Sequence, residues 1–227
     1  GFDGYKSALD MAPIFKFFGN SVIVTCCATV LNVLVFAMAG YAFARFRFPC
    51  DKLLYMLLSL SLVIPMTALL QPVYSVVNNL GLYDTKAGLI LVNTALNMPM
   101  SLLILRGAFQ SIPKAIEEAA YIDGAGYFSA MVRIIFPMAK PSIITIILFN
   151  FLSFWNEYII SMTLMSSTKA PRTLPVGLLN LMQAQQSAAQ YGTMYAGLVL
   201  VMLPTLILYI CVQRQLTQGM TVGGLKG

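Results

Sequence analysis

The sequence predicts an all-α polytopic membrane protein, and three observations support that fold class. The chain has 227 residues, of which 59% are hydrophobic and only 10% are charged, whereas a soluble domain carries about 25% charged residues. The mean hydropathy is +0.79. The apolar residues are concentrated in long uncharged blocks, and about 20 such residues cross a bilayer as a helix. This composition excludes a water-soluble enzyme, and it excludes a disordered chain, which requires low hydrophobicity and high net charge.

Five blocks are long enough to span a membrane, and only helices satisfy their backbone groups where lipid offers no hydrogen-bond partner. The blocks cover residues 21–43, 53–77, 87–105, 141–165 and 192–212. In the second block, Pro65 removes a backbone hydrogen bond and predicts a kink in the helix. Pro72 predicts a second disruption farther along the same block.

The lysine and arginine positions predict the orientation of these spans, because basic residues collect on the cytoplasmic side. Nine lie on one side, namely Arg45, Arg47, Lys52, Arg106, Lys114, Arg133, Lys140, Arg214 and Lys226. Five lie on the other side, namely Lys6, Lys16, Lys86, Lys169 and Arg172. We therefore expect a cytoplasmic C-terminus. The first residue is Gly1 rather than methionine, so we expect one earlier span and six spans in the intact protein.

Several kinds of chemistry are excluded by composition. The chain has no histidine, so histidine-based catalytic triads and the usual zinc and haem ligand sets are not available. The four cysteines do not form a disulfide pattern and are interpreted as inert thiols. The net charge of +6 is scattered between apolar blocks, which indicates membrane topology rather than nucleic-acid binding. We predict no catalytic and no metal-binding residues.

The largest cytoplasmic stretch, residues 106–140, predicts a helix–turn–helix beside the membrane. Pro113 suits the start of a helix, and Gly124 and Gly126 suit its end. A second short helix is expected over residues 127–135 and should stop at Pro137.

In the first helix of this stretch, Ile116 and Ala120 are expected to share one face, with Glu117 and Glu118 elsewhere. Such a helix–turn–helix could dock in a cytoplasmic partner or could simply cover the membrane spans, and amphipathicity alone leaves both interpretations open. We see no domain boundary and interpret residues 1–227 as one transmembrane domain that lacks its N-terminal part, with a loop at 111–137 within it.

A motif in this loop adds a family resemblance. Glu118-Ala-Ala, Gly124, Ile134 and Pro137 fit the spacing E-A-A-x3-G-x9-I-x-L-P, with Phe136 replacing the leucine. This spacing resembles the EAA loop of ABC-importer permeases. Further segments are similar to sugar-uptake permeases of the MalG type, namely residues 20–21, 41–49, 106–113, 121–124, 155–157, 173–175 and 223–227. The resemblance extends along nearly the whole chain.

The resemblance implies the roles of particular residues. The EAA loop would form the coupling helix that sits in a cleft of an ATP-binding subunit, and its residues here are Glu117, Glu118, Ala119, Ala120, Asp123, Gly124 and Pro137. The C-terminal tail would also contact the ATPase, through Gly223, Gly224, Leu225, Lys226 and Gly227. The outer segment 166–191 would probe a sugar-binding protein, although its sequence fits a solvated re-entrant loop equally well.

The resemblance also implies the assembly. The chain would be a multi-pass permease subunit in the cytoplasmic membrane of a bacterium or archaeon, paired with a MalF-like second permease, two ATP-binding subunits and an extracytoplasmic sugar-binding protein. It would import a sugar or oligosaccharide by ATP-driven alternating access. No P-loop motif G-x-x-x-x-G-K-[ST] occurs in the chain, so we expect no cofactor here, with ATP and Mg²⁺ bound by the partner.

Polar residues inside the spans are candidates for the translocation path or for contacts between helices. Asn150, Ser153 and Glu157 follow i, i+3, i+7 spacing and are expected on one helix face, with Asn156 beside them. Glu157, the only acid in any span, either lines a cavity or anchors at the outer interface. Trp155 suits an aromatic belt at that interface.

Three further polar residues belong to the same set of candidates. Asn93 and Asn97 share a face at i, i+4, and the sequence favours hydrogen bonds between helices over substrate contact for both. Gln71 lies next to the expected disruption at Pro72.

Two other function classes compete with the ABC permease. An ion-coupled secondary transporter would require titratable residues at mid-membrane, and the chain offers one acid near an interface. A non-conducting membrane scaffold subunit is disfavoured by the EAA spacing.

Overall fold

The described part of the chain is helical throughout, as the sequence predicts. A computed structural model describes residues 13–166 and 171–187, together with scattered positions between 192 and 210. Within these residues no strand occurs. The longer helices are α1 (Ile14–Arg45), α2 (Asp51–Leu60), α3 (Met66–Asn79), α4 (Lys86–Leu96), α5 (Met98–Ser111), α6 (Lys114–Ile122), α9 (Lys140–Trp155) and α11 (Leu174–Ser187).

Short helical pieces connect these helices. They are α7 (Tyr127–Ala130), α8 (Phe136–Met138), α10 (Ile159–Leu164), a 3₁₀ turn (Ser61–Val63) and a π-helical turn (Met131–Ile135).

The spans are more interrupted than the uncharged blocks predict. Among the described residues only α1 is long and apolar enough to cross a membrane by itself. Three helix pairs pass the same test jointly although a sharp bend separates their halves, which allows up to four spans. The predicted span at residues 192–212 lies mostly outside the described residues.

The second block breaks at Pro65, as predicted. Ile64 is extended, with φ −75° and ψ 120°, because the proline ring disfavours helical geometry in the residue before it. The predicted disruption at Pro72 is wrong, since α3 runs through this residue to Asn79.

The expected stop at Pro137 is also wrong. The helix passes from α7 through the π-helical turn into α8, where Pro137 occupies the first turn. The proline removes one backbone hydrogen bond without ending the helix, and the chain bends by 77° between Tyr127–Met138 and Lys140–Trp155.

The chain divides into two groups of segments that pack closely within each group, and each group has its own apolar core. The first group comprises residues 13–28, 66–93 and 151–187, and Ile14, Trp155 and Leu174 form its buried cluster. The second comprises residues 29–65 and 94–150. Its larger core contains Ala37, Tyr41, Leu105, Phe109, Ile112, Met131, Ile135, Ala139 and Ile146.

Close helix contact in the second group depends on Gly40 in α1. A Cβ atom at this position would lie 3.1 Å from both the backbone nitrogen of Arg106 and Cβ of Leu105. Only glycine therefore lets α1 and α5 approach this closely without a shift of the backbone.

Candidate functional site

The helix–turn–helix predicted for the cytoplasmic loop is present. Pro113 precedes α6 with φ −59° and ψ 134°, and Gly124 ends it with φ +84°. The N–H of Gly124 donates to the carbonyl of Tyr121 at 3.0 Å, and that of Ala125 donates to Ala120 at 2.9 Å. These two bonds are those of a Schellman C-cap, which explains why glycine occupies the left-handed position.

A buried ion pair lies beneath α6. Nε of Arg45, the last residue of α1, donates to Oε1 of Glu117 at 2.7 Å. Nη2 of Arg45 donates to the backbone oxygen of Ile112 at 2.9 Å. The two side chains are only 5% and 7% exposed. We call Arg45 and Glu117 the Arg45 pair. The ion pair ties the end of α1 to α6, and the second bond ties it to Ile112, the residue that ends α5.

The Arg45 pair corrects the predicted faces of α6. Glu117 was expected away from the apolar face, but it lies on the buried side with Ala120, where Arg45 neutralises its charge. Because Glu117 and Arg45 are separated by 72 positions in sequence, no local pattern indicates the contact. In the sequence, Arg45 indicates membrane topology and belongs to the family-like segment 41–49, and neither feature predicts its contact with Glu117.

The opposite face of α6 and the turn are exposed. Glu118, Ala119, Asp123 and Gly124 all lie on the surface. Large apolar side chains extend this face, with Ile122 86%, Phe128 72% and Tyr127 66% exposed. We call the exposed residues Glu118, Ala119, Ile122, Asp123, Gly124, Tyr127 and Phe128 the knob. It offers small and apolar contact area with two acidic side chains.

A cavity of about 160 Å³ opens beside the knob. Its lining comprises Arg45, Phe46, Lys114, Glu117, Glu118, Tyr121 and Tyr127. The cavity therefore adjoins the buried pair on one side and the exposed residues of α6 on the other. Of the remaining predicted coupling residues, Ala120 is buried and Pro137 is exposed outside the knob.

A second polar group, which we call the amide cluster, lies buried in the second group of segments. Oδ1 of Asn32 accepts from Oγ of Ser101 at 2.6 Å and from Nδ2 of Asn150 at 2.7 Å. Nδ2 of Asn32 donates to the backbone oxygen of Thr94 at 2.9 Å. Nδ2 of Asn97 donates to Oδ1 of Asn150 at 3.2 Å. Asn32, Ser101 and Asn150 each have 0% exposure.

The amide cluster joins α1, α5 and α9, because the side chains of Asn32, Ser101 and Asn150 form hydrogen bonds with one another. Asn97 makes a hydrogen bond between helices, as the sequence favours. Asn93, four residues earlier, does not share its helix: α4 ends at Leu96, and Asn97 precedes α5. Nδ2 of the buried Asn93 has no hydrogen-bond partner among the described residues. Asn32 was missed, although a lone amide within an apolar block is itself a signal of a polar contact.

The predicted polar face of the fourth span is not formed. Asn150 is buried whereas Ser153 is exposed, and α9 ends at Trp155, before Glu157. The carboxylate of Glu157 accepts from the backbone N–H of Ile160 at 2.6 Å and that of Ser161 at 3.0 Å. It therefore caps the first turn of α10, a role that neither sequence alternative described.

Trp155 lies in the core of the first group of segments rather than in an interfacial belt. It is 1% exposed, stacks on Phe151 at a centroid distance of 5.8 Å and meets Phe18 edge-on at 5.6 Å. Among the remaining path candidates, Asn156 and Gln71 are exposed. Asn156 donates to the backbone oxygen of Leu152 at 2.8 Å.

Part of the segment predicted to be outer, at residues 172–174, is packed structure rather than a solvated loop. Nδ2 of Asn20 donates to the carbonyl of Arg172 at 3.0 Å, and the N–H of Leu174 donates to Oγ of Ser21 at 2.8 Å. Thr173 and Leu174 are buried. Two motifs of the family resemblance, residues 20–21 and 173–175, therefore meet each other. The tail residues 223–227 lie outside the described residues.

Comparisons with known proteins agree with this geometry. The family described as binding-protein-dependent transport system inner membrane component matches residues 36–222. The chain is 34% identical to the diacetylchitobiose uptake system permease protein NgcG of Streptomyces coelicolor, over 99% of this chain and 74% of that protein. It is 31% identical to the trehalose transport system permease protein SugB of Mycobacterium tuberculosis, over 100% of this chain and 82% of that protein.

The fold has a solved counterpart. A chain in the crystal structure of a bacterial ABC transporter involved in the import of the acidic polysaccharide alginate aligns with a TM-score of 0.80 and 23% identity, over 94% of this chain and 79% of that one. Permeases of this kind are inner-membrane subunits rather than enzymes, and they depend on a partner ATPase and a binding protein. The chain thus belongs to the family of binding-protein-dependent transport system inner membrane components, the permease subunits of ABC importers.

Proposed function

We propose that this permease imports a di- or oligosaccharide and that the knob is its docking element for an ATP-binding subunit. The sugar class is supported by the relatives, whose names refer to diacetylchitobiose and trehalose. In this proposal the complete importer contains a second, MalF-like permease, two ATP-binding subunits and an extracytoplasmic sugar-binding protein. The chain's C-terminus is cytoplasmic, and residues 223–227 add a second contact to the ATPase.

The observation that carries the docking proposal is an exposed knob above a buried anchor. Ala119 and Gly124 lack bulk and permit close approach of a partner surface, and Glu118 is free to pair with a basic side chain there. Ile122 and Phe128 supply apolar area that is 86% and 72% exposed. Water-exposed apolar side chains of this size indicate a protein contact when they cluster.

The Arg45 pair gives the knob a mechanical connection to the membrane. A docked helix transmits motion to a span only if the two move together. Arg45 holds α6 through the carboxylate of Glu117, and it holds the chain just before α6 through the backbone oxygen of Ile112. When ATP closes the ATPase subunits, movement of α6 is passed through the Arg45 pair to α1. The permease pair then opens outward to the loaded binding protein, and hydrolysis resets it.

The translocation path is proposed to use the exposed polar side chains of the first group of segments, Gln71, Ser153 and Asn156. Their amides and hydroxyl are accessible for hydrogen bonds with sugar hydroxyl groups. Asn97 and Asn150 are occupied by each other in the amide cluster, and the carboxylate of Glu157 is occupied by α10. Those two asparagines and Glu157 therefore support the path rather than contact the substrate.

The docking proposal is tested in the reconstituted importer with Glu118→Lys and Ala119→Trp, both at exposed positions of α6. Both variants should keep the permease folded and should lower the ATPase activity stimulated by the binding protein by at least tenfold, because the altered surface no longer fits the partner. Gly107→Trp is the control, since Gly107 is exposed on α5, outside the knob, with open space around its Cβ position. Normal stimulation in both test variants would contradict the proposal.

The substrate class is tested separately, by measuring that stimulation across a panel of neutral and acidic di- and oligosaccharides. Stimulation by one or more of them supports the sugar assignment. A complex that retains a stoichiometric ATPase but is stimulated by none of them would contradict it.

A further inference from the structure

We propose that the cytoplasmic end of α2 and α5 forms a binding site for one anionic phospholipid, with Arg106 as the ligand of its phosphate. The site shares no residue with the knob or with the amide cluster. It consists of Arg106 on α5, Tyr55 and Lys52 on α2, and the apolar face of α2 that follows them.

Arg106 is positioned but not neutralised. Its guanidinium carbon lies 3.8 Å from the centroid of the Tyr55 ring, and its Nε donates to the carbonyl of Phe43 at 3.4 Å. Its two terminal nitrogens have no hydrogen-bond partner among the described residues, and the residue is half-buried. The guanidinium is held through Nε and through its contact with the Tyr55 ring. Its two terminal nitrogens can therefore donate to two oxygens of one phosphate.

Aromatic rings keep this arginine in place. Phe43 lies between Phe48 and Tyr55, at centroid distances of 5.3 Å and 5.7 Å. Gly40, one turn before Phe43 in α1, permits the close approach that brings α5 to this cluster. The rings form a platform beside Arg106, and in this proposal they lie at the membrane interface, where aromatic side chains are favoured.

The positive charge at this position is not cancelled by its neighbours. Lys52 is exposed one turn before Tyr55 on the same face of α2. The acid in the vicinity, Asp51, pairs with Arg47 at 3.5 Å. Arg106 and Lys52 therefore supply two unpaired cations on the side of the membrane that basic residues mark as cytoplasmic.

The surface that continues from this charge is apolar and uncovered. No residue of α2 is buried, and Leu53, Leu57 and Leu60 on one face are 51%, 55% and 51% exposed. They extend about 10 Å along the helix axis from the basic end, at 1.5 Å per residue. A cationic fork joined to an apolar strip of this length matches an anionic headgroup with its acyl chain, whereas a soluble anion would leave the strip unexplained.

The test uses the purified importer complex, exchanged into detergent with equimolar phosphatidylglycerol and phosphatidylcholine and examined by native mass spectrometry. The wild-type complex should retain phosphatidylglycerol preferentially. Arg106→Gln should reduce that preference about fivefold, the factor that corresponds to about 1 kcal/mol per basic residue at an anionic surface. Arg133→Gln is the matched control, because Arg133 is an exposed cytoplasmic arginine outside the site, and it should behave as wild type.

Tyr55→Leu provides a second variant that keeps the charge and removes the platform, and it should lower the preference by a smaller factor. An excess of inorganic phosphate distinguishes a lipid from a soluble anion, and it should leave the retained phosphatidylglycerol in place. Equal retention of both lipids by the wild type, no effect of either variant, or displacement by inorganic phosphate would each overturn the proposal. Because the readout is lipid retention, it does not depend on the sugar or on the docking partner.

Discussion

The Arg45 pair and the amide cluster are both buried and polar, yet they differ in what they leave exposed. The Arg45 pair joins two charged side chains at 2.7 Å, and the knob stands exposed on the other side of the same helix. The amide cluster is neutral, and its buried side chains form their hydrogen bonds with one another. A buried polar residue of a membrane protein therefore does not by itself indicate a functional site. A site is indicated where the same element also has an exposed surface, as α6 has.

The largest expected effect separates the Arg45 pair from an ordinary surface pair. Arg45→Met leaves Glu117 buried without a counter-charge and should destabilise the permease by about 3–5 kcal/mol, the usual cost of breaking a buried pair. Thermal unfolding of the purified complex measures this loss. Arg47→Met is the control, because Arg47 is 83% exposed and pairs with Asp51 at only 3.5 Å, and it should change stability by less than about 1 kcal/mol. Equal effects of the two variants would remove the distinction between them.

The amide cluster should respond less strongly, because its members are neutral. Asn32→Leu removes one donor and one acceptor that together make three hydrogen bonds. At an average of about 0.6 kcal/mol for each such bond within a membrane protein, the loss should be about 2 kcal/mol. Asn79→Leu, at the exposed end of α3, is the matched control and should be near neutral. A neutral Asn32→Leu would show that the cluster does not hold α1, α5 and α9 together.

The close contact between α1 and α5 can be tested through Gly40. Gly40→Val places side-chain atoms against Leu105 and the backbone of Arg106, and overpacking of this kind costs about 1–3 kcal/mol. Gly19→Val in the same helix has nothing within 4 Å of its Cβ position and should cost less. The two variants are compared by thermal unfolding, and similar midpoints would contradict the close approach of α1 and α5.

The smallest effect concerns the one acid that was expected inside a span. Glu157→Ala removes a cap from α10, which costs about 1 kcal/mol. Sugar-dependent ATPase stimulation should then change little, because the carboxylate serves the backbone of Ile160 and Ser161 rather than the substrate. A selective loss of stimulation with unchanged stability would return Glu157 to the translocation path.

Features set by local backbone chemistry could be predicted from the sequence. The turn at Gly124, the start of α6 after Pro113 and the break at Pro65 each depend on a residue with restricted or unusual backbone geometry. The same reasoning failed at Pro72 and Pro137, because a proline removes one backbone hydrogen bond from a helix without always ending it, and the chain stays helical past both residues.

Features set by distant contacts could not be predicted. The partner of Glu117 is 72 residues away, and the partners of Asn150 lie on two other helices. Trp155 fits an interfacial belt by sequence, and only its contacts with Phe151 and Phe18 place it in a core. The sequence does not show which of the predicted coupling residues are exposed. The contact between Glu117 and Arg45 sets the orientation of α6, and this orientation exposes Glu118 and Ala119 while it buries Glu117 and Ala120.

The central claim is that the exposed side of α6, and not its buried side, meets the ATPase. Single-cysteine labelling of Ala119→Cys and Ala120→Cys tests it most directly, in a chain whose native cysteines are replaced by serine, with and without the ATP-binding subunits. The neighbouring positions differ in exposure, since Ala119 is exposed and Ala120 is 6% exposed. We expect the cysteine at position 119 to react with maleimide in the free permease and to be protected in the assembled importer, whereas position 120 reacts poorly in both. Unchanged labelling at position 119 on assembly would contradict the account.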